Sequence, residues 1–134
     1  MTSFNLKIVT PDGLIYDGQA EELYVRTTGG DVGILARHMD YVAALGMGRA
    51  TIVSNGQRRT AACIGGMLSV KNGDVTLVPT TFEWAEAIDV DRAEASLQRA
   101  NQVLGASNAS DADLKLAQAR LHRALVRKSV ADNK

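Results

Sequence analysis

Apolar and polar positions alternate with period two along the first 84 residues. In the run FNLKIV, Phe4, Leu6 and Ile8 fall on one side and Asn5 and Lys7 on the other, the pattern of a half-buried strand. Pro11, Asp12 and Gly13 follow where a turn is expected. ELYVRT, at residues 22–27, reads as another short strand. RATIVSNGQRRTAACI carries the clearest local signal: Asn55-Gly56 suits a two-residue hairpin turn, because both residues tolerate positive φ. MLSVKNGDVTLVP repeats the device at Asn72-Gly73. Short strands punctuated by glycine turns predict an antiparallel sandwich or barrel. A parallel nucleotide-binding sheet needs crossover helices, and residues 1–84 offer none.

The pattern changes near Pro79. Over TTFEWAEAIDVDRAEASLQRANQVLGAS, Ala93, Leu97, Ala100 and Leu104 fall on one helical face. Asp89 or Asp91 caps its start and Gly105 its end. The polar run ASNASDAD connects to a second helix with an expected stripe of Leu114, Ala117, Leu121 and Leu125. The expected organisation is a β-domain over residues 1–84 and a helical hairpin over 85–134. Twelve of the residues in the second part are alanine. Such side chains permit close helix approach but bury little apolar area each, so the hairpin can dock without being locked.

Composition narrows the function classes. The 134 residues are 46% hydrophobic and 4% aromatic, so the core is aliphatic. Formal net charge is zero, which argues against a general nucleic-acid binder. No apolar run approaches bilayer-spanning length, and MTSFNLKIVTPDG does not read as a secretory signal. The lone Cys63 reads as a small buried hydrophobe. In the second part Glu86, Asp89, Asp91 and Glu94 come early and Arg120, Arg123, Arg127 and Lys128 late. Acids suit a helix start and bases its end.

Two stretches bear on chemistry. GGDVGILARHMDYVAALGMG, at residues 29–48, lacks the GxxxxGK and GxGxxG spacings of phosphate-gripping loops. His38 has Asp40 nearby but no serine or cysteine nucleophile signal. His38 and His122 lie in different parts of the chain, without a metal-ligand pattern around them. The stretch is either turns and packed strands or a fixed loop presented to a protein partner. The second stretch is the helical part. Arg92 and Arg99 are seven residues apart, and Arg120, Arg123 and Arg127 cluster away from the Leu121–Leu125 stripe. Arginine fans suit carboxylates and phosphates. Three readings stand: a solvated face, a surface for acidic side chains of another protein, or a nucleotide site with Asp89 on a ribose hydroxyl or adenine amino group.

The chain resembles the epsilon subunits of bacterial F-type ATP synthases. The resemblance rests on GDVGILARH at 30–38, ALGMGRATI, GGMLSVKNGDVTLV and AIDVDRAEASLQRA at 87–100, in that order and spacing. It implies a β-sandwich of about ten strands followed by two antiparallel helices. It implies binding to the gamma subunit and the c-subunit ring in the central stalk, at the cytoplasmic face of the bacterial membrane, with no catalytic role of its own. The helices of such subunits fold back or extend along gamma into the alpha/beta catalytic head, where they restrain ATP hydrolysis. On the resemblance, Asp31 faces the c ring, His38 faces gamma, and Arg120, Arg123 and Arg127 face acidic segments of the catalytic beta subunit. Some members bind regulatory ATP through an Ile/Leu-Asp-x-x-Arg-Ala motif, matched here by Ile88, Asp89, Arg92 and Ala93. Glu83, Arg99, Arg123 and Arg127 complete that expected set; no cofactor is required, and the effect of magnesium is open. Two departures fall in the opening loop: Ala36 stands where a proline is frequent, and Val32 where a bulkier apolar residue is common. The alternative is a stand-alone nucleotide-sensing protein of the same two-part build.

Overall fold

The computed structural model describes residues 2–133. Among these, eight strands precede the helices: β1 (Phe4–Thr10), β2 (Gly13–Ala20), β3 (Glu22–Thr27), β4 (Gly30–Leu35), β5 (Tyr41–Ala44), β6 (Met47–Ser54), β7 (Gln57–Lys71) and β8 (Asp74–Trp84). They form one hydrogen-bonded sheet in the order β2-β1-β8-β7-β6-β3-β4, with β5 also on β7. The sheet folds over itself because β7 and β8 pass together from one layer to the other. Ala61–Ile64 pair with Thr81–Trp84, Gly66–Lys71 pair with Asp74–Pro79, and Gly65 and Thr80 drop out of the ladder between them. The first half of β7 also pairs with β6, and the second half with β5. Each layer therefore holds five strand segments, and the expected count of about ten becomes eight continuous strands, two of which serve both layers.

The bend has a backbone cause. Gly65 and Gly66 take φ of 69° and 104°, the left-handed region that favours glycine. A Cβ on Gly66 would lie 2.1 Å from the Val78 carbonyl oxygen. Pro79, opposite Gly66, is buried inside β8. The strand thus continues past Pro79 to Trp84, whereas the sequence pattern placed the change of structure near the proline. A residue without an N–H is tolerated where the ladder is already interrupted.

The two Asn-Gly turns form as expected. Asn55 and Gly56 take φ of 53° and 74°, and Asn72 and Gly73 take 52° and 82°. These are the paired positive values that a two-residue hairpin needs. One pairing departs from the antiparallel expectation: β1 runs parallel to β8 over Leu6–Ile8 and Val75–Leu77. Between the layers lie Leu6, Ile8, Leu23, Ile34, Ile52, Leu68 and Leu77, all fully buried. Each contributes about 1.5–3 kcal/mol on burial.

A 3-10 turn at Ala85–Ala87 leads to α1 (Val90–Leu104) and α2 (Asp111–Asp132). The Asp89 side chain caps α1 by accepting the Arg92 backbone N–H at 3.0 Å. Ser110 caps α2 by accepting from Asp113 N–H at 3.1 Å. Gly105 ends α1 with φ −87°, its N–H donated to the Asn101 carbonyl. Ala93 and Ala100 are buried on α1, and Ala117, Ala124 and Ala131 on α2, each series at a spacing of seven. This heptad seam corrects the expected α2 stripe: Leu114 and Leu121 flank it half-buried, and Leu125 is exposed, because it lies one residue past Ala124 and is turned away by about 100°. Acids do open both helices, but neither has a base in its last turn. Arg120 to Lys128 sit mid-helix because α2 continues to Asp132.

The chain divides into two compact units, the first ending at Trp84 and the second beginning at Ala85. Gly66→Ala should destabilise the sandwich by more than about 2 kcal/mol in urea unfolding, from backbone clash and strain together. Gly73→Ala, where a Cβ meets open space at φ 82°, should lose only about 1 kcal/mol. Equal losses would remove the bend's special status.

Candidate functional site

Helical spacing assembles a basic cavity in the second unit. Ser96 and Arg99 sit three apart on α1, and Arg120, Arg123 and Arg127 share a face of α2 at spacings of three and four. Together they line an open cavity of about 410 Å³. Arg99 and Arg120 also border a smaller groove of about 170 Å³, walled by Ala100, Val103, Leu116 and Ala117 with Asp113 at its rim. The larger cavity carries four guanidinium groups and no carboxylate among its lining residues. That donor set suits a polyanion: each guanidinium stays charged and offers a planar fork to phosphate or carboxylate oxygens.

Of the residues read from sequence as nucleotide contacts, Arg99, Arg123 and Arg127 come together here. Arg120, grouped by spacing with Arg123 and Arg127 and assigned on the resemblance to a protein partner, stands in the same wall. Arg92 and Asp89 do not line the cavity, and the Asp89 carboxylate accepts the N–H that caps α1. Glu83 lies in β8 of the first unit, opposite Ala62. Beside the arginines, Lys128 Nζ meets Glu94 Oε2 at 2.8 Å, joining α2 to α1. Gln98 donates to Glu94 Oε1 at 3.1 Å. The Lys128 ammonium and then the Gln98 amide hold the Glu94 carboxyl below its ordinary value, and Glu94 raises Lys128.

The first unit presents two distinct surfaces. Asp31, the second residue of β4, lies beside the Thr27–Gly30 turn and pairs with Arg26 at 3.3 Å, both side chains exposed. His38 follows the other end of β4, so the two residues serve opposite ends of that strand. Arg37 before it has φ 65°, and Ala36 packs against the core, as does Val32. His38 Nδ1 lies 2.7 Å from the Met39 carbonyl oxygen, an acceptor, so that nitrogen carries the proton. Asp40 accepts the Asn72 backbone N–H at 2.9 Å. Burial pushes the Cys63 thiol up to about 12, which removes it as a nucleophile near neutral pH. Among the described residues, no group of three His, Cys, Asp or Glu is placed to hold a metal ion.

The His38 ring meets Tyr41 edge-on at 5.8 Å between centroids; Tyr41 packs on the core, and an apolar strip crosses the opposite, outer face of the same layer. Exposed Val42 and Ala44 stand on β5; Ala44 pairs with exposed Met67, and Met67 with exposed Val78. Val9, one step past the Ile8–Leu77 pair, lies opposite exposed Leu14. Sequence alternation marks these positions as outward-facing but does not show that they adjoin.

Residues 3–85 match the family model for the beta-sandwich domain of the ATP synthase delta/epsilon chain, and residues 86–132 match that for its long alpha-helix domain. The ATP synthase epsilon chain of Bacillus velezensis is 40% identical over 99% of this chain and 100% of its own length. That of Ruminococcus albus is 40% identical over 100% of both. A chain in the Euglena gracilis mitochondrial ATP synthase OSCP/F1/c-ring structure superposes with TM-score 0.85 at 20% identity, covering 96% of this chain and 81% of that one. A chain in the Tetrahymena thermophila mitochondrial ATP synthase central stalk and c-ring structure gives 0.67 at 12% identity, covering 95% of each. These two show the shared fold. Among the described residues, no helix is long and apolar enough to cross a membrane.

The Glu94–Lys128 pair generates a pH prediction. Glu94 is depressed from its ordinary 4.5, so its contribution is complete above that value and lost as pH falls through the folded one. Lys128 is raised from 10.5, so its contribution holds below that value and is lost as pH rises through the folded one. Helicity followed by circular dichroism in thermal melts should show a plateau between these limits. Glu94→Gln should flatten the acid limb; an unchanged acid limb would count against the pairing.

Proposed function

The chain belongs to the ATP synthase delta/epsilon chain family, and on that premise we propose that it is a non-catalytic rotor subunit of the bacterial enzyme's central stalk. The observation that carries this reading is the unbroken two-part match: sandwich and helical region together align over the full length of the Bacillus velezensis epsilon chain. In this reading the sandwich holds gamma and the c-subunit ring at the cytoplasmic face of the membrane. The helices regulate ATP hydrolysis by reaching toward the alpha/beta catalytic head.

The local surfaces support a division of labour. The apolar strip from Val42 through Met67 and Val78 to Leu14 suits a lasting protein contact, and His38 with exposed Met39 lies toward the Asn72–Gly73 end of the same layer. We assign this side to gamma. Asp31, charged and exposed at the other end of β4, is assigned to the polar loops of the c ring. The arginines of α2 serve acidic segments of the beta subunit when the helices extend. In the folded hairpin, Arg99, Arg123 and Arg127 hold a regulatory ATP, with Asp89 and Arg92 as the motif-derived contacts and Glu83, which precedes the motif, as a further one.

Co-purification from an assembled complex tests the central claim: reproducible absence of gamma and the c ring would sink it. Met67→Asp, which puts a charge on the apolar strip, should weaken gamma capture by tenfold or more, or about 1.4 kcal/mol. Deleting residues 85–134 should leave assembly intact and change hydrolysis control. Equal loss of assembly from both changes would contradict the division.

A further inference from the structure

We propose that Asn72 is a site of spontaneous deamidation, and that the Glu21 carboxylate withholds the same reaction from Asn55. The chain carries the labile Asn-Gly pair twice, each time as the two residues of a hairpin turn, between β6 and β7 and between β7 and β8. The two turns match closely. Their φ values are 53° and 74° at Asn55-Gly56, and 52° and 82° at Asn72-Gly73. Both asparagines are exposed, and a Cβ on either glycine would meet open space. Water reaches both: Asn55 and Gly56 line an open cavity of about 530 Å³, and Asn72 and Gly73 one of about 440 Å³.

The turns differ in which N–H a carboxylate holds. Gly56 donates its N–H to Glu21 Oε1 at 3.2 Å. At the second turn the donor is Asn72, whose N–H meets Asp40 Oδ1 at 2.9 Å. Asp40 thus engages the nitrogen before the reacting side chain, whereas Glu21 engages the one after it. Deamidation runs through the nitrogen after the asparagine. That nitrogen loses its proton to solvent base and bonds to the asparagine Cγ. The Cγ–Nδ2 bond breaks, and ammonia leaves with a proton from water. Water then opens the cyclic imide at either carbonyl, giving aspartate or isoaspartate. No electrons are transferred; the net change is water taken up and ammonia released. Glycine favours the ring closure because no side chain crowds its nitrogen. A carboxylate on that N–H opposes it twice. The charge-assisted bond stabilises the protonated nitrogen, and the negative oxygen disfavours the anion that attacks. At position 72 the product adds a negative charge to a cavity that Arg37, His38, Asp40 and Asp74 also line.

Peptide mass spectrometry on the full chain aged at pH 8 tests this, with deamidation read separately at each site for the wild type, Glu21→Ala and Glu21→Gln. The wild type should react at Asn72 about tenfold or more faster than at Asn55. Glu21→Ala should speed Asn55 by about tenfold and leave Asn72 unchanged. Glu21→Gln, which keeps an oxygen acceptor without its charge, should speed Asn55 by about threefold. In urea, where both turns are lost, the two sites should react within about threefold of each other. Circular dichroism should show unchanged secondary structure in both variants. Equal native rates at the two sites, a slower Asn72, or an Asn55 rate unmoved by either substitution overturns the inference. So does a native Asn72 that stays intact while the urea-unfolded chain reacts.

Discussion

The sandwich depends on one close backbone crossing. Where Gly66 passes Val78 and Pro79, two long strands turn from one layer into the other without breaking their association. Everything else in the first unit is hung on those strands: β6, β3 and β4 extend from one end of the pair, and β1, β2 and β5 attach at the other. A side chain at the crossing would force the strands apart, and the aliphatic core between the layers would open with them. The core is in turn thin in aromatics, with Phe4 and Phe82 its only phenylalanines. Its stability rests on many small fits, which tolerate little displacement.

A different economy governs the helical unit. Its seam is made of alanines at intervals of seven, so the helices approach closely while burying modest apolar area. Closeness is what brings Arg99 to Arg120, Arg123 and Arg127. The same small residues leave the hairpin dependent on polar ties such as Glu94–Lys128. Packing geometry and charge collection are therefore two results of one choice of residue.

Much of this fold was legible because local signals agreed with each other. Alternation in Phe4, Leu6 and Ile8, positive-φ pairs at both Asn-Gly turns, and the Asp89 cap all announced what the chain does there. Gly65-Gly66 was not readable in the same way: a glycine pair permits a turn, a bulge or a bend, and only the partner strand decides. Pro79 misled because a breaker inside a strand looks like the end of one. Leu125 misled because a stripe drawn at helical period drifts from a seven-residue seam. Arg120 shares the side of Arg123 and Arg127 by spacing alone, but which side meets α1 is set by alanines that carry no chemical label. The surfaces assigned to gamma and the c ring were not deducible from local chemistry. Exposed apolar residues on separate strands become a patch only after the strands are ordered.

The parallel pairing of β1 with β8 has a consequence for the order of events during synthesis. Asn5 and Asp74, hydrogen-bonded across this region, are 69 residues apart in the chain. The β1–β2 hairpin leaves the ribosome before β8, its neighbour in the sheet, has been made. The edge of β1 at Leu6–Ile8 stays unpaired until then. Closing so long a loop is a slow step, so β1 is among the last strands to be seated in the sheet, and the nascent sandwich passes through a stage in which its earliest hairpin keeps an open edge.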